Sequence, residues 1–126
     1  MERRNISGTG AYEPIVGYSR AVVVGDRVHV SGTAPNPPDG SPPPEDIYEQ
    51  TLLCFDLIGT ALEQAGTSLE HVVRTRVYLT DEDDFDGFAR AHAKVFRDVR
   101  PANTTVFARL FDPRWKVEIE VEAVLP

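Results

Sequence analysis

The stretch "KVEIEVEAV", residues 116–124, alternates without a break. Successive side chains of a strand face opposite sides, so Val117, Ile119, Val121 and Ala123 form an apolar row and Glu118, Glu120 and Glu122 an acidic one. Such a strand belongs to a sheet with one covered face and one open face. A second strand reads from "HVVRTRVYLTD", residues 71–81. Val73, Thr75, Val77 and Leu79 share one side of it, and Val72, Arg74, Arg76 and Tyr78 the other. Arginines facing glutamates across strands contribute about 0.2–1 kcal/mol per pair.

Working outward, "AVVVGDRVHVSG" (21–32) places two β-rich runs around Gly25-Asp26, a hairpin signal. The following "TAPNPPDGSPPPED" (33–46) is so rich in proline that it reads as a loop without regular structure. From Asp46 the period changes. Ile47, Thr51, Cys54, Phe55, Ile58, Ala61, Leu62 and Ala65 mark an amphipathic helix that ends at Gly66. "DDFDGFARAHAKVFRDV" (83–99) predicts a second helix, capped by Asp83 or Asp84 and stopped before Pro101. "TTVFARL" (104–110) supplies a further strand. The order is strand pair, helix, strand, helix, strand pair. It implies an α+β two-layer architecture, one sheet with two helices on one face, in a single domain spanning 1–126. The uncovered face, with its arginine and glutamate rows, is either solvated or the wall of a subunit interface, and the interface is the reading taken.

Composition narrows the function. Thirteen basic against twenty acidic residues give a net charge of −7, which opposes nucleic-acid binding because that draws on clustered Lys and Arg. No apolar run reaches membrane-spanning length and no signal-like segment follows the N-terminus, so the expected location is cytoplasmic and no membrane partner is expected. Cys54 stands alone, and His29, His71 and His92 lack ligand spacing, so no metal is expected. His92, on the helix stripe, reads as a core histidine. No phosphate-binding or dinucleotide fingerprint occurs, so no cofactor is expected.

Two features carry chemistry. The glutamate row can orient a water or take a proton if burial raises a carboxyl's pKa; the plainer alternative is a solvated or arginine-paired face. "RPANTTV" (100–106) sets an amide and two hydroxyls, Asn103, Thr104 and Thr105, where the chain enters a strand.

Four stretches in order, "GYSRAVVVGDRVHVSG" (17–32), "AGTSLEHVVRTRVYLTDEDDF" (65–85), "RPANTTV" and "KVEIEVEAV", resemble the RidA/YjgF family, whose older label is endoribonuclease L-PSP. The resemblance covers almost the whole chain. It implies a chorismate-mutase-like fold with a mixed sheet, a homotrimer, and small-molecule clefts between subunits. It also implies hydrolysis of reactive enamines and imines to ammonia and a keto acid. By that resemblance Tyr18 lines the cleft, Ser31 and Thr33 fall on a Ser-Gly-Gln stretch, and Glu118 holds the attacking water. The family's Pro-Ala-Arg-Ser/Thr, whose arginine forks onto the substrate carboxylate, reads Pro101-Ala102-Asn103-Thr104 here. The guanidinium is replaced by an uncharged amide. Thr33 for Gln and Val16 for Gly reshape the same cleft. Arg20, two residues from Tyr18 on an extended segment, is a candidate to restore the charge from another wall. Two functions follow: a divergent deaminase or hydrolase of the family, with Glu118 and Tyr18 catalytic, or a ligand-binding or regulatory trimer without turnover.

The charge balance yields a first prediction. Filter-binding or anisotropy assays with generic RNA should show no salt-sensitive binding at physiological ionic strength, because counterion release needs the basic clusters that are missing. Sub-micromolar, salt-sensitive binding would contradict it.

Overall fold

In the computed structural model, which describes residues 1–126, six strands form one sheet. They are β1 (Arg3–Ile6), β2 (Ala21–Val24), β3 (Arg27–Thr33), β4 (Val72–Leu79), β5 (Ala102–Phe107) and β6 (Val117–Val124). Their spatial order is β1-β2-β3-β6-β4-β5. Every neighbouring pair is antiparallel except β4 and β5, which makes the sheet mixed. A parallel pair needs a crossover, and the helix α2 (Phe85–Phe96) provides it. The longer helix α1 (Ile47–Ala65) leads from β3 to β4, and β6 returns to fill the gap between those two strands.

The expected boundaries of α1 hold. Asp46 accepts a hydrogen bond from the Glu49 amide at 3.1 Å, which satisfies one orphan N–H of the first turn. Gly66 ends the helix at φ 96°, a left-handed conformation that glycine adopts without a Cβ penalty. The hairpin pairs Val24 with Arg27 across Gly25-Asp26, as read from the sequence.

Three details differ. β1 was not expected; it pairs antiparallel with β2 at the sheet edge, and its sequence, "RRNI", has too few apolar residues to signal a strand. Asp84 holds the N-cap position of α2, but its side chain makes no cap hydrogen bond, and the capping carboxylate is that of Asp81 one turn earlier. The Asp81 carboxylate accepts from the Asp83 amide at 2.8 Å and starts a 3-10 turn, Glu82–Asp84, that runs into the helix. In β4, Val72 is buried and Val73 is 44% exposed. An irregularity between Val72 and Arg74 shifts the phase, so the simple alternation holds only from Arg74 onward.

The core lies between the sheet and the two helices. Phe55, Ile58 and Leu62 of α1 and Phe88 and Phe96 of α2 pack on Val77, Leu79, Val117, Ile119 and Val121. Phe55 and Phe96 meet edge-on at 4.9 Å between ring centres, a favoured aromatic geometry. Three polar side chains, Gln50, Thr51 and Thr75, sit wholly inside. Gln50, 0% exposed, donates to the carbonyls of Pro44 at 2.7 Å and Arg114 at 2.9 Å and accepts from the Lys116 amide at 2.8 Å. It thereby ties the end of the proline-rich loop to the entry of β6. Gln50→Leu should destabilise the protein by about 1–3 kcal/mol through the unpaired groups left behind, measured by urea denaturation. A loss below a few tenths would show that the clamp contributes nothing.

Candidate active site

The open face is ordered by the β4/β6 register, which sets Tyr78 opposite Glu118, Arg76 opposite Glu120 and Arg74 opposite Glu122. The Tyr78 hydroxyl donates to Glu120 Oε1 at 2.5 Å, and this bond is the first cause of a Tyr78 pKa held above its ordinary value. Arg76 lies 3.6 Å from Glu120 and 3.7 Å from Glu122, and His29 lies 3.5 Å from Glu122. Arg74 donates to the Thr104 hydroxyl at 3.2 Å. Two of the three glutamates are therefore engaged by neighbours.

Glu118 is not. Its carboxylate accepts no hydrogen bond from the subunit and joins none of the ion pairs. Burial pushes its pKa up; the Arg20 guanidinium opposes the rise and the Glu120 carboxylate adds to it. The sequence builds this environment through an irregularity in β3. The β3/β6 register shifts between Val30 and Thr33, which brings Gly32 against Glu118, and a Cβ on Gly32 would collide with Glu118 Oε2. Arg20 donates through Nη2 to the Gly32 carbonyl at 2.7 Å, while its Nε is buried without a partner. Arg20, Gly32 and Glu118 thus converge.

Tyr18 lies at the end of the loop that precedes β2. Glu13, buried, accepts from the Gly8 amide at 2.9 Å and the Gly10 amide at 3.2 Å and so closes this loop on itself. A π-helical turn, Glu13–Gly17, leads to Tyr18, whose hydroxyl lies over Gly10. Ser31 and Thr33 hold the irregular part of β3. The Ser31 hydroxyl donates to the Ser19 carbonyl at 2.6 Å and the Thr33 hydroxyl to the Ser31 carbonyl at 2.9 Å. Thr33 is 3% exposed and faces the core, where its carbonyl accepts from the Cys54 thiol at 3.4 Å. Both hydroxyls are engaged by backbone carbonyls around the irregular part of β3.

The segment 103–105 splits between the two faces. Thr104 pairs with Arg76 on the open side, whereas Asn103 and Thr105 pair with Thr75 and Val77, which are buried on the helix side. There a chain of hydrogen bonds runs from Thr105 Oγ1 to Asn103 Oδ1 at 3.0 Å, from Asn103 Nδ2 to Thr75 Oγ1 at 2.9 Å, and between Thr75 Oγ1 and His92 Nε2 at 3.0 Å. His92 packs against Phe55, Phe88 and Phe96, and burial lowers its pKa. This supports the reading of a core histidine and adds a polar partner that periodicity did not reveal. An open pocket of about 230 Å³ lies alongside, lined by Phe85, Phe88, Ala89, His92, Ala93 and Asn103. Within one subunit, then, Asn103 and Glu118 are not brought together. β4 separates their strands, and they lie on opposite sides of the sheet.

A mixed sheet whose last strand is inserted centrally, two helices on one side and an open face bearing a half-buried carboxylate define a class of small α+β proteins. The family model for Endoribonuclease L-PSP matches residues 8–125, and the chain belongs to that family, also known as YjgF or RidA. A RutC family protein of Pyrococcus abyssi is 39% identical over 98% of this chain and 97% of its own. A crystal structure of a YjgF/YER057c/UK114 family member from Mycobacterium tuberculosis superposes with a TM-score of 0.90 at 38% identity, covering 98% of this chain and 100% of that one. The mitochondrial protein MMF1 of Saccharomyces cerevisiae is 32% identical over 85% of this chain and 74% of its own. No helix is long and apolar enough to cross a membrane, and with a mitochondrial relative the family does not fix the compartment.

The Glu118 environment has a consequence for stability. A carboxyl whose folded pKa is raised binds its proton more tightly when folded, so stability falls as pH rises from the ordinary value of 4.5 through the folded pKa. Glu118→Gln, which cannot ionise, should therefore raise Tm at neutral pH and change it little below pH 4.5. Equal shifts at both pH values would show that ionisation of this group costs the fold nothing.

Proposed function

We propose that the protein is a divergent member of its family that hydrolyses an enamine- or imine-type metabolite in a cleft between subunits of a homotrimer. The observation that carries this reading is Glu118, half-buried, its pKa raised and its carboxylate unclaimed, while Glu120 and Glu122 are engaged. A carboxylate so placed takes a proton from water as that water adds to the imine carbon. That proton passes on to the nitrogen, which gives a carbinolamine; its C–N single bond then breaks as the hydroxyl proton is passed to the nitrogen, so ammonia leaves and a carbonyl remains. An enamine enters by first tautomerising to the imine. Because Glu118 must be ionised to accept the proton, activity should rise with pH through its raised pKa. Arg20 lies at the same end of the face, and the resemblance adds Tyr18 to the cleft.

Incompleteness of the single subunit supports an assembly, which we take as the homotrimer. Asn103 and Thr105 face away from Glu118 in one subunit, so a cleft that uses both needs a second subunit. The open face and the exposed Val73, Val106 and Phe107 offer it apolar surface. Sedimentation should give a trimer; a stable monomer at micromolar concentration would contradict the cleft.

A second reading, ligand binding without turnover, is favoured by Asn103, whose amide is engaged by Thr75 and Thr105 and carries no charge. The deciding experiment is single-turnover ammonia release from freshly generated 2-iminopropanoate. Wild type should be slow, and Asn103→Arg faster by about tenfold for each 1.4 kcal/mol a guanidinium–carboxylate pair contributes. Glu118→Gln should abolish the gain. Robust wild-type activity that is lost in Arg20→Ala would assign the carboxylate to Arg20. An inert Asn103→Arg trimer would favour the binder.

A further inference from the structure

We infer that the pocket between α2 and the start of β5 is a subsite for a neutral ligand group. It fits an apolar ring or short branched chain ending in a hydrogen-bond acceptor such as a carboxamide carbonyl, with His92 and Asn103 as its specificity-determining residues. The inference deepens the reading of the 103 segment as cleft floor and rests on it.

Size and lining set the body of the ligand. The pocket holds about 230 Å³, and a cavity of about 150 Å³ suffices for a benzene ring. Phe85, Phe88, Ala89 and Ala93 make four of its six walls, and no charged side chain is among them. The alanines are what open it, since larger residues on that side of α2 would close the space over Asn103.

The hydrogen-bond chain sets the head group. Thr75 is fully buried. With the Asn103 amide oriented as the structure places it, Thr75 Oγ1 accepts from Asn103 Nδ2. Its own proton then has one acceptor within reach, His92 Nε2 at 3.0 Å. A donor at Nε2 would leave the buried hydroxyl proton unpaired, which costs about 1–3 kcal/mol. The imidazole is therefore the neutral tautomer with its proton on Nδ1, and its burial among three phenylalanines keeps it neutral. Nδ1 has no partner in the subunit and is not among the buried unpaired atoms. The second amide hydrogen of Asn103 is likewise unclaimed. The polar end of the pocket thus presents two uncharged donors and no cation. An acceptor that carries no charge meets both without the desolvation penalty of a carboxylate.

Binding is read by NMR on the trimer with phenylacetamide and phenylacetate, which share a body and differ in charge. Phenylacetamide should shift the amides of Ala89 and Ala93 and the side-chain amide of Asn103, and bind about tenfold or more tightly than phenylacetate. Asn103→Arg should reverse the order. Ala93→Leu, at an exposed helix position outside the hydrogen-bond chain, should block both probes without loss of fold. It guards against a His92→Phe variant that fails to fold. Long-range ¹H–¹⁵N correlation should report His92 protonated at Nδ1. Equal or tighter binding of phenylacetate to wild type, shifts that survive Ala93→Leu, or the Nε2–H tautomer would overturn the inference. These readouts need no turnover. Ammonia release without probe binding sinks this subsite alone, and probe binding without ammonia release from any variant sinks the hydrolase reading alone.

Discussion

The pairing of β6 with both β3 and β4 is the constraint on which the rest depends. The last strand to be synthesised is the centre of the sheet, so β1 to β3 and β4 to β5 join into one sheet only through it, while α1 and α2 pack together above. Its alternation then acts twice. Val117, Ile119, Val121 and Ala123 complete the core beneath the helices, and the register that places them fixes Glu118, Glu120 and Glu122 on the open face. A slip of one residue would exchange the two rows, burying three carboxylates, and the cost of that exchange holds the register.

Much of this was legible because it is local. Alternation in 116–124, the three- and four-residue steps from Ile47 to Ala65, Asp46 and Gly66 at the ends of α1, and the Gly25-Asp26 turn each encode their structure within a few residues. What was not legible depends on distant partners. β1 is a strand because β2 offers an edge, not because "RRNI" favours extension. The phase shift at Val72–Val73 comes from how β4 meets β6, so two adjacent valines cannot reveal which is buried. Asp81 outcompetes Asp83 and Asp84 because a 3-10 turn precedes α2, a choice that three successive acidic positions leave open.

The site divides along the same line. Glu118 was nominated by a family resemblance and by its place in an acidic row, and the row alone does not distinguish it from Glu120 or Glu122. The difference arises three strands across. Tyr78 and Arg76 reach Glu120, His29 and Arg76 reach Glu122, and Glu118 faces the irregular turn of β3, where Gly32 leaves room and Arg20 turns to a carbonyl. Ser31 and Thr33 take part in this, but as supports of the backbone, their hydroxyls directed to Ser19 and Ser31 carbonyls. Asn103 was placed correctly at a strand entry, yet which side of the sheet it serves follows from pairing with Thr75, and that is set by the parallel register of β5 on β4.

That division bears on position 103, where the resemblance to Pro-Ala-Arg-Ser/Thr implies an arginine and this chain has asparagine. A guanidinium at position 103 would lie next to Thr75, fully buried, and over the half-buried His92. Thr75 and a neutral His92 are compatible with an uncharged amide because the Thr105, Asn103 and Thr75 donors hand on to one another and to His92 in sequence. A cation there would need an anion to be tolerated in the same apolar surroundings, and the walls supply none. The free subunit of this sequence is thus self-consistent with asparagine. On the opposite face Arg20 is the cation that acts on Glu118, lowering its pKa against the effect of burial. The cation beside Glu118 and the apolar volume beside Asn103 thus lie on opposite faces of one sheet, separated by β4, and a single subunit does not bring them together.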